Sequence, residues 1–130
     1  MTKANVLIID ANINDILVLD HLLQLEGIHS QYMESTRDLG EALNTVKTVD
    51  LIFLSLEMPG INGYQALPIL RQHPNTVSAR MIAYSVYIDE VATAISRGFD
   101  GFIGKPLDAN TFSEQFQKIL RGETVRYIPY

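Results

Sequence analysis

Cysteine is absent from this 130-residue chain. That excludes a disulfide scaffold, a thiolate metal site and a cysteine nucleophile. Basic runs are absent too. Ten Lys+Arg stand against fifteen Asp+Glu, a net charge of -5, and no basic patch suggests a nucleic-acid partner. No apolar stretch approaches the roughly 18 residues of a membrane span. There is no internal repeat or low-complexity segment. Gly60, Gly63, Gly98, Gly101 and Gly104 form no G-x-G-x-x-G cradle and read as turn and strand-end residues, so a nucleotide site has little support. A G-x-S-x-G elbow is missing. His21, His29 and His73 are scattered without metal-ligand spacing and read as surface or loop residues. What remains is ordinary globular material, 47% hydrophobic and 19% charged, enough for one domain with its own core. The expected division is residues 1–122 as the domain and 123–130 as a tail. The start, Met1 to Asn5, runs directly into a strand-like segment without a signal peptide, so a cytoplasmic location is expected.

Short apolar runs alternate with helical patterns. Ala4–Ile9, Gln31–Met33, Leu51–Leu56, Arg80–Ser85 and Phe102–Gly104 read as strands. The first and third are almost continuously apolar, as in central strands of a parallel sheet covered on both faces. Asn14–Leu25, Arg37–Val46, Tyr64–His73, Asp89–Arg97 and Thr111–Arg121 read as helices. Ser35 and Asp38 are spaced as a capping box. Asp108 reads as an N-cap, and Gly27 and Gly98 read as stops. Pro68 falls early enough in its helix to bend or delay it rather than forbid it. The last helix carries Phe112, Phe116, Ile119 and Leu120 on one stripe. Strands alternating with helices imply an α/β fold, a doubly wound parallel sheet with right-handed crossovers. Ligands in such sheets bind beyond the carboxyl ends of the strands, where Asp10, Ser55, Ser85 and Lys105 stand.

Val-Leu-Ile-Ile-Asp10, Asp50-Leu-Ile-Phe-Leu-Ser55-Leu-Glu-Met-Pro59-Gly-Ile-Asn-Gly63, Met-Ile-Ala-Tyr-Ser85 and Gly101-Phe-Ile-Gly-Lys105-Pro106 together resemble the response-regulator receiver domain (CheY-like) from about Ala4 to Arg121. The resemblance implies a five-stranded, flavodoxin-like (βα)5 three-layer sandwich in phosphorelay, or two-component, signalling. It also implies a site of three acids. Two would bind Mg²⁺ after the first strand, and a third, ending strand three, would accept a phosphoryl group. On this match Asp10 is the first acid, Ala11 stands for the second and Ser55 for the phosphoacceptor. Ser85 matches the switch hydroxyl, Phe102 the switch aromatic and Lys105 the phosphate-binding lysine. Glu57 lies where the family offers a backbone carbonyl to the metal.

The two departures set the functional expectation. A serine hydroxyl is a poor nucleophile without a base, and one carboxylate, with at most Glu57 to aid it, draws a hard cation weakly. A degenerate, stand-alone pseudo-receiver is therefore expected: no enzyme, no Mg²⁺ cofactor, and a protein–protein interaction module independent of phosphorylation. Alternatives are a phosphate-responsive domain modified on Ser55 or Ser85, and a small-ligand-binding flavodoxin-like protein. Asp10 is open between a residual metal ligand and a strand-end acid paired to Lys105. Ser85 and Phe102 are open between a two-state switch and plain packing. Expected partners are signalling proteins: a histidine kinase, a phosphotransfer protein or an output protein, with no nucleic acid or membrane. A homodimer could form through the helix 4–strand 5–helix 5 face or through helix 1, whose Val18, Leu22 and Leu25 exceed a single apolar stripe. The tail residues Tyr127, Ile128 and Tyr130 read as loosely packed extensions of either surface. The Lys105-Pro106 bond is open between cis and trans.

Overall fold

The computed structural model describes residues 4–129. In chain order the elements are β1 (Val6–Ile9), α1 (Ile13–Leu25), β2 (Ser30–Met33), α2 (Leu39–Ala42), β3 (Leu51–Ser55), α3 (Gly63–Gln72), β4 (Arg80–Ser85), α4 (Val91–Ser96), β5 (Gly101–Gly104), α5 (Ala109–Leu120) and β6 (Arg126–Tyr127). The strands form one sheet in the order β2-β1-β3-β4-β5-β6, parallel at every pairing. This is the expected flavodoxin-like winding, with one strand more than expected.

The alternation of side chains along each strand divides the interior. Val6, Ile8, Leu51, Phe53, Ile82, Tyr84 and Ile103 face α1 and α5, meeting Ile16, Leu19, Leu23, Phe112 and Phe116. Leu7, Ile9, Ile52, Leu54, Met81, Ala83 and Phe102 face the other way, against Leu39, Leu43, Leu67, Leu70 and Ala94 from the α2–α4 layer. Burial of each large side chain contributes about 1.5–3 kcal/mol, so both layers are held chiefly by this apolar contact.

Helix ends follow local chemistry. The Asn12 side chain accepts from the Asp15 amide and opens α1. Gly27, at φ 80°, closes it, with the Gly27 and Ile28 amides donating to Gln24 and Leu23 carbonyls, a Schellman ending. Asp108 caps α5 through the Asn110 amide. Pro68 is accommodated within α3 without ending it.

Five sequence expectations need correction. Ser35 and Asp38 make no capping box: Ser35 Oγ accepts from the Arg37 amide, and Asp38 sits in left-handed backbone at φ 51° with no side-chain cap bond. The second helix accordingly shrinks to α2 and a 3-10 turn, Leu43–Thr45, since Gly40, Asn44 and Thr45 are poor helix formers. The capping box lies instead at Asn62 and Gln65, opening α3. Leu120 is exposed, outside the α5 stripe, and Leu22 of α1 is buried rather than free for a partner. Finally, the tail is not loose: Val125 is buried, and Arg126 and Tyr127 extend the sheet beside β5. Tyr130 lies outside the described residues.

Candidate functional site

β1 and β3 are neighbours whose helices depart to opposite faces, and a crevice opens at their carboxyl ends, as winding of this kind dictates. A cleft of about 530 Å³ lies there, with Asp10, Ser55, Glu57, Tyr87 and Lys105 on its walls.

Lys105, just after β5, carries the cleft's positive charge. Its Nζ lies 2.7 Å from Asp10 Oδ2 and 2.8 Å from Asp15 Oδ2. It also lies 4.4 Å from the centre of the Tyr84 ring, a cation–π contact. The lysine and Asp10 side chains are nearly buried, at 8% and 3% exposure. In that setting a charge is tolerable only when paired, and Lys105 has two anions and an aromatic face. The backbone after β5 is held by the Lys105 amide donating to the Ser85 carbonyl; the Lys105-Pro106 bond is cis. The second oxygen of Asp10 accepts from the Asn12 amide at 3.0 Å.

Ser55 ends β3, 1% exposed. Its hydroxyl donates to the Glu57 carbonyl at 3.2 Å, so its proton is engaged and no general base touches it. Glu57 turns its carboxylate toward β4, where Oε2 accepts from the Ser85 hydroxyl at 2.8 Å. Ser85 Oγ in turn accepts from the Tyr87 amide. The Glu57 carboxyl is pushed above its ordinary value, first by desolvation and further by the nearby Asp10 and Glu90 charges. The Ser85 bond and Lys105 oppose that rise without cancelling it.

This loop is held by Gly63. A side chain there would put its Cβ 2.7 Å from the Ser55 carbonyl oxygen and 2.9 Å from Leu56 Cα, so only glycine lets α3 begin so close beneath β3. Thr36, buried in the loop after β2, donates to the Ile61 carbonyl at 2.7 Å and fastens the loop's far side.

The structure thus gathers Asp10, Ser55, Glu57 and Lys105 around one cleft, with Ser85 joined through Glu57. Phe102 is not in the cleft: it is fully buried on the α2–α4 side of the sheet. Two participants escaped the sequence reading. Asp15 looked like an ordinary residue of a helix's first turn, yet the Asn12 cap aims that turn at the end of β5. Tyr84 looked like core. Its ring supports Lys105 and its hydroxyl donates to the Asp15 carbonyl at 3.2 Å, anchoring α1 over the cleft. A useful signal was the capping residue two positions after Asp10, which fixes where the next acid must lie. Among the described residues no group of three His, Cys, Asp or Glu is disposed to hold a metal ion, and no helix is long and apolar enough to cross a membrane.

Known proteins share both the sequence pattern and the fold. The nitrate/nitrite response regulator protein NarL of Escherichia coli is 31% identical over 123 residues, covering 85% of this chain and 56% of its own length. A glycerol metabolism activator of Pseudomonas putida is 33% identical over 122 residues, covering 85% and 54%. The chain therefore spans little more than half the length of these curated relatives. Among solved structures, the chemotaxis response regulator CheY4 of Vibrio cholerae superposes with a TM-score of 0.77 at 20% identity, covering 91% of this chain and 99% of that one. A CheY-like receiver domain from Methylobacillus flagellatus gives 0.77 at 23%, with the same coverage. Residues 6–117 match the response regulator receiver domain, taking in β1 to β5, the first four helices and most of α5, and the chain belongs to that family.

Proposed function

We propose that this receiver domain signals without aspartyl phosphorylation, as a protein–protein interaction module whose conformation is set by its own side chains. The observation that carries this reading is the pairing of Lys105 with both Asp10 and Asp15 while β3 ends in Ser55. On the resemblance of its motifs to the family, Ser55 stands where the phosphoacceptor is expected. A buried hydroxyl that donates to a carbonyl and touches no base cannot take a phosphoryl group as a carboxylate does. The lysine that would meet phosphoryl oxygens is already neutralised by two carboxylates.

Mg²⁺, which the family's chemistry uses, does not fit these residues well. Asp10 spends one oxygen on Lys105 and the other on the Asn12 amide. The Glu57 carbonyl accepts from Ser55 and its carboxylate from Ser85. Ala11 offers nothing. Hard cations need several free oxygen ligands, and here both Asp10 oxygens and one of the two Glu57 carboxylate oxygens already have partners. No catalytic role is assigned to any residue of the cleft. The partners in this reading are signalling proteins that recognise the resting surface: a histidine kinase, a phosphotransfer protein or an output protein.

Incubation with acetyl phosphate and Mg²⁺, followed by intact-mass analysis, tests the reading. The expected result is unmodified chain. NMR titration with Mg²⁺ and beryllofluoride should leave the Asp10, Ser55 and Lys105 amides in place. A covalent phosphate on the chain, or saturable shifts at those three residues, would overturn the proposal.

A further inference from the structure

Ser85 closes β4 and is fully buried, and groups from outside its strand engage both its hydroxyl and its carbonyl. The hydroxyl donates to Glu57 Oε2 at 2.8 Å and accepts from the Tyr87 amide at 2.9 Å. The carbonyl accepts from the Lys105 amide at 2.8 Å. Glu57 is itself steadied, since its own carbonyl accepts from the Ser55 hydroxyl. The segment beyond Ser85 is less well anchored. The Ile88 amide donates to the Val86 carbonyl and the Glu90 amide to the Tyr87 carbonyl, bonds internal to the turn. Val86, Tyr87 and Ile88 are 55%, 54% and 42% exposed. Ile88 leans on Gly104, where a Cβ would come within 3.1 Å of its Cγ2. Among the described residues, the Tyr87 amide links the backbone of residues 86–88 to the end of the sheet, and it does so through Ser85.

We propose that Glu57 is a positioning residue, a built-in latch that acts through Ser85 to hold residues 86–88, and the apolar side chains they display, in one conformation. A serine side chain has several staggered rotamers of similar energy. A charge-assisted bond to the Glu57 carboxylate selects the one that presents Oγ to the Tyr87 amide. The anion that sets the turn is therefore part of the chain, and no incoming group is needed to set it. This inference deepens the proposed function and rests on its claim that no phosphoryl group governs the domain. The measurements below use protein that has met no phosphodonor, so the latch can fail while that claim stands, and the acetyl phosphate experiment can fail while the latch stands.

Amide hydrogen exchange of Tyr87 tests it, with Leu54 in the central strand reporting global stability. Glu57→Ala should speed Tyr87 exchange by about tenfold, the worth of one hydrogen bond to a charged group, and leave Leu54 within about twofold. Glu57→Gln keeps an acceptor oxygen and should bring Tyr87 back to within about threefold of the wild-type rate. Ser85→Ala should free the Tyr87 amide at least as much as Glu57→Ala. Adding Glu57→Ala to Ser85→Ala should change nothing further, because the latch has no other route. A Tyr87 amide indifferent to Glu57→Ala, a Leu54 amide accelerated as much as that of Tyr87, a Gln variant as fast as the Ala variant, or additive effects in the double variant would each overturn the proposal.

Discussion

Lys105 is the residue on which most of the cleft's electrostatics converge, and its neighbours differ in how much they need it. Asp10 is buried with it, whereas Asp15 is about one-third exposed. Lys105→Met leaves Asp10 buried with only the Asn12 amide for company and should cost about 3–5 kcal/mol. Asp15→Asn leaves the Asp10–Lys105 pair in place and should cost only about 0.5–1.5 kcal/mol. Urea unfolding of the two variants checks the ordering; equal losses would contradict the assignment of Asp10 as the principal partner. Glu57 supplies a pH dependence. Its folded-state pKa is raised above the ordinary 4.5, so the folded chain binds this proton more tightly than the unfolded chain. Its contribution to stability should therefore fall as pH rises from that ordinary value through the raised one, and level off above it. Glu57→Gln should remove that fall in the difference between the two stability–pH curves. Asp10, Ser55, Glu57, Ser85 and Lys105 were legible in the sequence because each stands at or just beyond a strand end. Asp15 and Tyr84 were not, because their roles depend on where a helix turn and a neighbouring strand meet in space.

At the scale of elements, two glycines separate steric from conformational need. Gly63 has an ordinary backbone, but a Cβ would collide with the Ser55 carbonyl; Gly27 has open space around it, yet sits at φ 80°. Gly27→Ala should cost about 1 kcal/mol through backbone strain alone, leaving the spectrum of the cleft unchanged. Gly63→Ala should cost about 1–3 kcal/mol as an overpacking change, and it should shift the amide resonances of Ser55 and Glu57. Heteronuclear spectra with thermal melts distinguish the two. The long elements were readable from periodicity, since α1 and α5 carry a clear apolar face and β1 and β3 are continuous apolar runs. The short ones were not. Asp38 in left-handed backbone breaks the expected second helix, a conformation that no local pattern announces. The turn Ile88–Glu90 precedes a helix reduced to Val91–Ser96. β6 holds two residues, too few for a periodic signal; the two glycines of β5 mark where its backbone comes close.

For the molecule as a whole, the winding order and the layer arrangement followed from alternating strands and helices, together with the family resemblance. The extra edge strand depended on one buried valine in a segment of mixed character. The same alternation that builds the layers places a continuous wall of backbone between two bodies of side chains. Ile16 lies on the α1–α5 side and Ile52 on the α2–α4 side. Ile16→Val and Ile52→Val should each cost about 0.5–1.5 kcal/mol. Their double variant should equal the sum to within about 0.5 kcal/mol, because they share no neighbours. Denaturant titration of the four chains in the cycle measures this, and a larger discrepancy would mean that the wall deforms. If it holds, the protein has two separate reservoirs of mutational tolerance: sequence drift on the side that anchors Tyr84 beneath Lys105 can be absorbed there without disturbing the opposite side, where α3 starts beneath the Ser55 loop.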